Sequence, residues 1–343
     1  MAVASLATIS SAQAIGASGN PHGAPGGTDS ACSRWVNVEG FSDHLDKTVL
    51  GGVPVSELSG LTYDTNGQLL AVADDSFLFT LDAGSKRPVS VQPVAYPDGT
   101  SVDAEAIAVD HDGTRLITDE TQPAINRFTR SGRLLESLPV PDALKVAPLG
   151  RAADNLTFEG MALLPEGRTL VASMEGALEG DGTDIRRFQT WHRAGHSGKF
   201  HIGPQYAFQT DPGLDISDIS STGDGRLLVL ERGYTPDVGN TVRLYLADVR
   251  HATDVSKKEA VPTGRQKLKL VHRTLLADIG DCPSLGATAK QPQPNPLLDN
   301  IEAITVTGRT RDGRVKLLLV SDDNQRSTQI TRLYSLDARL PKP

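Results

Sequence analysis

Residues 299–306 read DNIEAITV and residues 316–324 read KLLLVSDDN, and the interpretation of the whole chain begins with these two segments. Each is a short apolar run bounded by polar residues, which is typical of a β-strand. The Asp312-Gly313 pair between them favours a tight turn, so we expect an antiparallel hairpin. In such a hairpin the start of the first strand lies beside the end of the second. Glu302 is therefore expected near Asp322, Asp323 and Asn324.

The same pattern of strand, turn and second apolar strand recurs four more times. The copies begin at Ser59, Glu105, Glu159, Asp218 and Glu302, so the spacings are 46, 54, 59 and 84 residues. Repetition on this scale indicates a repeat architecture, and each copy has room for the four short strands of a propeller blade. The sequence predicts an all-β fold, a single β-propeller with about five four-stranded blades. A sixth blade within residues 241–298 is the main alternative.

One extra strand at the start of the chain is expected to close the propeller ring. Residues 35–41 alternate apolar and polar side chains before the first copy. The last copy has only three predicted strands before the sequence ends. Pairing these two strands would remove both exposed sheet edges. We therefore expect residues 28–343 to form one propeller domain.

Composition excludes several classes of function. The chain has 343 residues, and its 42 acidic residues against 34 basic ones give a net charge of −8. No stripe of Lys and Arg occurs, so we expect no nucleic-acid partner. No run of eighteen apolar residues occurs, so we expect no membrane span. The excess of acids favours cations, or ligands bridged by cations, and the chain is expected to be a monomer.

The first 27 residues are rich in Ala, Ser and Gly and are interpreted as a signal-peptide remnant or a disordered tail. Residues 2–9 could form a short apolar core, and Ala12-Gln13-Ala14 fits a small-x-small cleavage motif. We expect a secreted, periplasmic or cell-surface protein. In an exported chain, Cys32 and Cys282 are expected to form a disulfide. Two unpaired buried thiols are the alternative.

The motifs at residues 299–304 (DNIEAI) and 319–324 (LVSDDN) resemble the "esterase-like activity of phytase" or phytase-like domain family, and residues 158–162 (FEGMA) and 230–233 (LERG) fit the same pattern. The resemblance covers residues 35–340. It implies a secreted or periplasmic propeller that hydrolyses a phosphate ester or other ester. The chain lacks the Arg-His-Gly motif of histidine acid phosphatases and the DADDPA-type motif of calcium-dependent propeller phytases. Ser59 also stands where the other repeats carry an acid.

Acidic residues are expected to gather at one end of the channel. In a propeller each first strand lines the channel, so the residues that open these strands form an inner ring. Carboxylates crowded in this way cannot all stay ionised without compensation, and Ca²⁺ accepts six to eight oxygen ligands. The sequence therefore predicts Ca²⁺ as a cofactor. The predicted metal ligands are Glu105, Glu159, Asp218 and Glu302.

The ends of the second strands supply further acids beside this ring. A bound cation could polarise a phosphate or carbonyl oxygen, and arginines near strand ends could bind an anion. The predicted catalytic residues are Glu302, Glu159 and Asp322, and the predicted substrate-binding residues are Arg127, Arg232, Arg326 and Asn324. Acids at strand ends can instead bond backbone N–H groups or Arg and join one blade to the next.

Two functions remain open from the sequence. The first is a metal-dependent hydrolase of a small anionic or ester substrate. The second is a non-catalytic secreted propeller, a binding or scaffold module with a structural metal. No Gly-x-Ser-x-Gly nucleophile motif and no phosphate-binding P-loop occur.

Overall fold

The computed structural model describes residues 30–264 and 268–342, and almost all of their regular structure is β-strand. The segment interpreted as a signal-peptide remnant or tail, residues 1–27, lies outside the described residues. Three single-turn 3-10 helices interrupt the strands. They span Asp142–Leu144, Pro165–Gly167 and Ile279–Asp281.

The strands form five four-stranded antiparallel sheets and one two-stranded hairpin. The first strand is β1 (Val36–Ser42), and the hairpin is β2 (Val49–Leu50) with β3 (Val53–Pro54). Blade 1 contains β4 (Leu58–Tyr63), β5 (Leu69–Ala73), β6 (Phe77–Leu81) and β7 (Pro88–Pro93). Blade 2 contains β8 (Ile107–Val109), β9 (Arg115–Asp119), β10 (Ala124–Phe128) and β11 (Leu134–Ser137).

Blades 3 to 5 follow in the same order along the chain. Blade 3 contains β12 (Phe158–Leu163), β13 (Thr169–Met174), β14 (Ile185–His192) and β15 (His201–Gln209). Blade 4 contains β16 (Asp215–Ser221), β17 (Leu227–Thr235), β18 (Gly239–Asp248) and β19 (His272–Asp278). Blade 5 contains β20 (Asn300–Arg309), β21 (Val315–Asp322), β22 (Leu333–Ala338) and the N-terminal strand β1.

The first strands of the blades form the inner ring. Each of β4, β8, β12, β16 and β20 lies against the next, and β20 returns to β4. The prediction of a five-bladed propeller is confirmed, and the six-blade alternative is wrong. Residues 241–298 supply the two outer strands of blade 4 and loops that pack on neighbouring elements. For example, the backbone N–H of Val255 donates to the carbonyl of Gln205 at 2.8 Å.

Apolar side chains fill the five interfaces between blades, which explains why the second strands are apolar on both faces. In β5, Leu69 and Ala71 pack toward blade 5, whereas Leu70 and Val72 pack toward blade 2. Similar clusters join blades 2 and 3, blades 3 and 4, and blades 4 and 5. A strand buried on both faces reads as a continuous apolar run rather than an alternating one.

The N-terminal strand closes the ring, as the sequence predicts. β1 pairs antiparallel with β22, from Val36 opposite Ala338 to Ser42 opposite Leu333. A disulfide between Cys32 and Cys282, 250 residues apart in sequence, links the residues before β1 to the end of the last 3-10 helix. The disulfide prediction is confirmed, and the alternative of unpaired thiols is wrong.

Replacing both cysteines, Cys32→Ser with Cys282→Ser, should lower the free energy of unfolding by about 2–5 kcal/mol, because the bond restricts a very long loop of the unfolded chain. Urea unfolding followed by circular dichroism measures this change. The wild-type protein treated with a reductant is the matched control and should lose the same amount. An unchanged midpoint in both samples would contradict the proposed role of the bond in ring closure.

Candidate active site at the acidic end of the channel

A β-bulge near the start of the inner strands aims acidic side chains at one end of the channel. The register of each hairpin shifts around one residue, which is Ser59 in blade 1, Glu159 in blade 3 and Glu302 in blade 5. A bulge leaves that residue without a partner in the ladder and redirects its side chain. Glu105 holds the corresponding place in blade 2, two residues before β8.

The bulge shows that the predicted start of the fourth repeat, Asp218, lies one residue too late in blade 4. The register shift there falls between Ile216 and Asp218, so Ser217 is the counterpart of Glu159 and Glu302. Asp218 is buried, and its two oxygens accept from the backbone N–H groups of Ile219 at 2.7 Å and Ile304 at 2.8 Å. Asp218 therefore joins blade 4 to blade 5, and we do not include it among the candidate metal ligands.

Arg232 of β17 lies beside the acidic side chains in blade 4, where the bulged residue is Ser217 rather than a glutamate. The Nε atom of Arg232 lies 3.0 Å from Oε2 of Glu302, and its Nη2 atom lies 3.6 Å from Oε1 of Glu175. Burial alone would lower the pKa of Arg232, but the charges of Glu302 and Glu175 outweigh it and the pKa is raised. Asn300 also donates to Oε1 of Glu302 at 2.7 Å. These contacts hold Glu302 and Arg232 in place.

Glu105 and Glu159 have no such partners. Their side chains are 7% and 5% exposed, and within residues 30–264 and 268–342 neither makes a hydrogen bond or an ion pair. Burial raises the pKa of both groups well above the usual carboxyl range. The nearby carboxyl groups of Asp74 and Glu120 raise the pKa of Glu105 further, because like charges oppose ionisation.

Two sets of three carboxyl groups are close enough to share a cation. Asp103, Glu105 and Glu120 offer oxygens that all lie within 4.8 Å of one another, and Glu120, Glu159 and Glu175 form a second such set. One oxygen of Glu120 accepts from the backbone N–H of Thr157 at 3.1 Å. Burial raises the pKa of Glu120 to about 7 and that of Glu175 to about 8, although Arg232 opposes the second shift.

A further pair of acids lies on the side of blades 5 and 1. Burial, and then the charge of Glu302, raises the pKa of Asp322 to about 8. One oxygen of Asp322 accepts from the backbone N–H of Asn324 at 2.7 Å. Asp74 accepts a hydrogen bond from Ser59, which explains the serine at this place in the ring. Burial and the charge of Asp322 raise the pKa of Asp74 well above its usual value.

The predicted substrate-binding residues lie in three different places. Arg232 faces the acidic end of the channel. Arg127 lies at the opposite end of blade 2, where it contacts Asp110 at 3.0 Å, so the structure does not bring this predicted substrate-binding residue to the acidic end. The reason is strand direction, because β10 starts at the acidic end and pairs Arg127 with Leu116 near the start of β9. Arg326 and Asn324 lie on the loop after β21, and Arg326 is exposed.

The sequence places Glu120 and Glu175 among the acids beside the inner ring without naming them as ligands, and it gives no role to Asp103. Asp103 lies two residues before Glu105, and this spacing places both side chains on the same side of an extended segment. That alternation is the signal that could have identified Asp103. Glu120 and Glu175 directly follow β9 and β13, so they lie at the ends of second strands next to the inner ring.

The opposite end of the channel has a different chemical character. A cavity of about 460 Å³ opens there between the far ends of the inner strands, and apolar side chains such as Leu61, Met161 and Ile304 form much of its wall. His111 and His196 lie at its edge with ring centroids 5.1 Å apart. Both sets of three carboxyl groups lie at the other end.

The sequence profile of the phytase-like family, described as esterase-like activity of phytase, matches residues 53–325. The chain belongs to the phytase-like family. The match confirms the resemblance noted from the DNIEAI and LVSDDN motifs, and it includes all of blades 1 to 4 and most of the acidic end.

One curated protein and two solved structures illustrate what the chain is similar to. An uncharacterized secreted protein of Arthroderma benhamiae is 26% identical over 114 residues, which are 26% of this chain and 22% of that protein. A gluconolactonase structure from Xanthomonas campestris is 12% identical with a TM-score of 0.41, covering 81% of this chain and 71% of that one. Glutaminyl cyclase of Myxococcus xanthus is 11% identical with a TM-score of 0.40, covering 89% and 97%.

No helix within residues 30–264 and 268–342 has the length and hydropathy needed to span a membrane.

Stability should fall as pH rises through the neutral range when no cation is present. The folded-state pKa values of Glu120, Glu175 and Asp322 are raised to about 7, 8 and 8, so the folded chain holds protons that the unfolded chain has released. Stability therefore decreases as these groups ionise. We expect the Tm in EDTA to drop between pH 6 and pH 9, and millimolar Ca²⁺ to restore most of the loss at pH 9. A pH-independent Tm in EDTA would contradict this.

Proposed function

We propose that this protein is a secreted, cation-dependent hydrolase of phosphate esters or other esters, acting at the acidic end of the channel. The observation that carries the proposal is the pair of buried carboxyl groups, Glu105 and Glu159, that have no hydrogen-bond or ionic partner in the described chain. Burying an ionised carboxylate without a partner is unfavourable. Divalent cations with a preference for oxygen ligands are the partners that fit these groups.

Charge supports the same conclusion. Within residues 30–264 and 268–342, Arg232 is the basic side chain that contacts the acidic group, through Glu302 and Glu175. The field of the ionised acids would repel an anionic substrate, whereas a bound divalent cation would reduce this negative charge and offer the substrate a positive centre. The acidic group consists of Asp74, Asp103, Glu105, Glu120, Glu159, Glu175, Glu302 and Asp322.

The residues that would hold the cation come from blades 2 and 3. They are Asp103, Glu105, Glu120, Glu159 and Glu175. Such a cation, which we propose to be Ca²⁺, would supply Lewis-acid chemistry, by which a phosphoryl or carbonyl oxygen could be polarised and a water made more acidic.

Arg232 and Asp322 would complete the chemistry. The ion pair with Glu302 fixes the guanidinium of Arg232 beside the channel, where its remaining N–H groups could bind a phosphate or carboxylate oxygen. Glu302 thus acts by positioning Arg232. Asp322, with its pKa raised to about 8, holds a proton at neutral pH and could donate it to a leaving alcohol. Asn324 keeps Asp322 oriented through its backbone N–H.

Export of the protein is part of the proposal. The disulfide between Cys32 and Cys282 is a bond typical of oxidising compartments. The Arthroderma benhamiae relative is described as secreted. Both observations favour an extracellular or periplasmic location.

A non-catalytic binding or scaffold propeller is the second candidate function. Asp218 favours it, because this buried acid of the inner strands accepts hydrogen bonds from backbone N–H groups of its own blade and of neighbouring blades. If the other acids also act only to join neighbouring blades, a bound cation would stabilise the propeller without supporting hydrolysis.

Hydrolysis assays separate the two candidates. We expect the purified protein with Ca²⁺ to turn over p-nitrophenyl phosphate, bis-p-nitrophenyl phosphate, phytate or p-nitrophenyl acetate, and to lose that activity in EDTA. Glu159→Gln should lower kcat/KM by about 10²-fold or more, because it removes a charge that holds the cation. Arg232→Lys should raise KM for an anionic substrate more than for the neutral acetate ester.

Glu166→Gln is the matched control, since Glu166 is exposed beside the cavity at the other end of the channel. It should leave the activity unchanged. Failure of all four substrates in the presence of Ca²⁺, with the protein folded and the cation bound, would rule out hydrolysis of these ester classes and favour the scaffold function.

A further inference from the structure

We propose that the acidic end of the channel binds two cations side by side and that Glu120 is a ligand of both. The inference rests on the proposed function in that it takes the acidic end to be a cation site. It adds the number of cations, the assignment of ligands to each, and the shared ligand.

The geometry offers two separate positions. The first set of oxygens comes from Asp103, Glu105 and Glu120, which all belong to blade 2. The second comes from Glu120, Glu159 and Glu175 and therefore crosses from blade 2 to blade 3. The two sets have Glu120 in common and no other member.

Each set has a size suited to one Ca²⁺ ion. All oxygens of a set lie within 4.8 Å of one another. Because Ca²⁺ lies about 2.3–2.6 Å from each ligand oxygen, two oxygens on opposite sides of one ion are about 4.6–5.2 Å apart. Each set is therefore compact enough for one Ca²⁺ ion to contact its three carboxyl groups, with other oxygen ligands completing the coordination.

Each set also contains its own buried carboxyl group that lacks a partner, which is an independent indication of two ligands. Glu105 belongs to the first set and Glu159 to the second, and they are 7% and 5% exposed. Among the described residues neither side chain has a hydrogen-bonded or ionic partner. One cation in the first position would leave Glu159 uncompensated, and one in the second would leave Glu105 uncompensated.

Glu120 is held in a way that suits a shared ligand. Its Oε1 atom accepts from the backbone N–H of Thr157, at the start of blade 3. The side chain thus extends from the end of β9 toward the next blade and stays at the boundary between the two sets. The bond leaves the second carboxylate oxygen of Glu120 available.

Formal charge favours two cations over one. The five carboxylates of the two sets carry a charge of −5 when ionised. One divalent cation leaves −3 and two leave −1, and Arg232, 3.6 Å from Glu175, can offset that remainder.

The test is the number of Ca²⁺ ions bound per chain, measured by equilibrium dialysis with radioactive Ca²⁺ at pH 7.5 and by calorimetry. Wild-type protein should bind two. Asp103→Asn removes a ligand of the first position only and Glu175→Gln removes a ligand of the second only, so each should bind one with high affinity. Glu120→Gln should weaken both positions at least 10-fold. Glu166→Gln, the control at the far end of the channel, should still bind two.

Circular dichroism of each variant in EDTA establishes that it is folded. If Glu120→Gln does not fold, the wild-type stoichiometry and the two single-position variants still decide the question. One Ca²⁺ per wild-type chain would overturn the proposal, and so would two tight ions in both Asp103→Asn and Glu175→Gln. Two bound ions without hydrolysis would retain this inference and reject the proposed activity. Hydrolysis with a single bound ion would support the proposed activity and reject the two-cation inference.

Discussion

Repulsion among carboxyl groups at one end of the channel is the constraint on which the rest of this site depends. A propeller brings the starts of all its inner strands to the same end of one axis, so a residue repeated in each blade is concentrated there. In this chain the repeated residue is a bulged glutamate in blades 3 and 5, with Glu105 at the matching place in blade 2. Acids that follow the second strands lie beside them and add to the repulsion.

The chain relieves this repulsion in some sectors and leaves it in others. Blades 1 and 4 carry Ser59 and Ser217 in place of the glutamate, and Arg232 of blade 4 faces Glu302. Asp218 accepts hydrogen bonds from backbone N–H groups, which oppose but do not cancel the rise of its pKa on burial. Blades 2 and 3 show no comparable compensation for Glu105 and Glu159 among the described residues. The proposed cation positions are therefore inferred from this difference between blades in how their acids are compensated, not from the number of acids.

The fold could be predicted from the sequence because its determinants are local and repeated. A strand buried on both faces is a continuous apolar run, and a tight turn is marked by Gly, so the five hairpins could be recognised in turn. The closing strand could be predicted by counting the strands in each repeat. One strand, at Trp35, precedes the first repeat, and the last repeat lacks its fourth strand after Tyr334, so the two positions complement each other. The disulfide could be predicted because an exported protein folds in an oxidising compartment and because Cys32 and Cys282 are its two cysteines.

The site could be predicted only in part, because it depends on register and strand direction. One bulge in β16 exchanges the roles of Ser217 and Asp218, and no residue of that segment indicates it. Arg127 lies near a strand end, yet the direction of β10 places it at the wrong end of the channel. The sharing of Glu120 between two sets of oxygens requires three-dimensional distances across a blade boundary.

The central claim is that, without a bound metal ion, protons occupy acids of this site because the charge of Arg232 alone cannot compensate them. Cation binding should therefore displace protons. The direct measurement is proton release on addition of Ca²⁺ to the folded protein, from calorimetry in buffers with different ionisation enthalpies. We expect at least one proton per chain at pH 6 and markedly fewer at pH 9, where Glu120, Glu175 and Asp322 have already ionised. Ca²⁺ binding without proton release at pH 6, or no binding at either pH, would contradict the account.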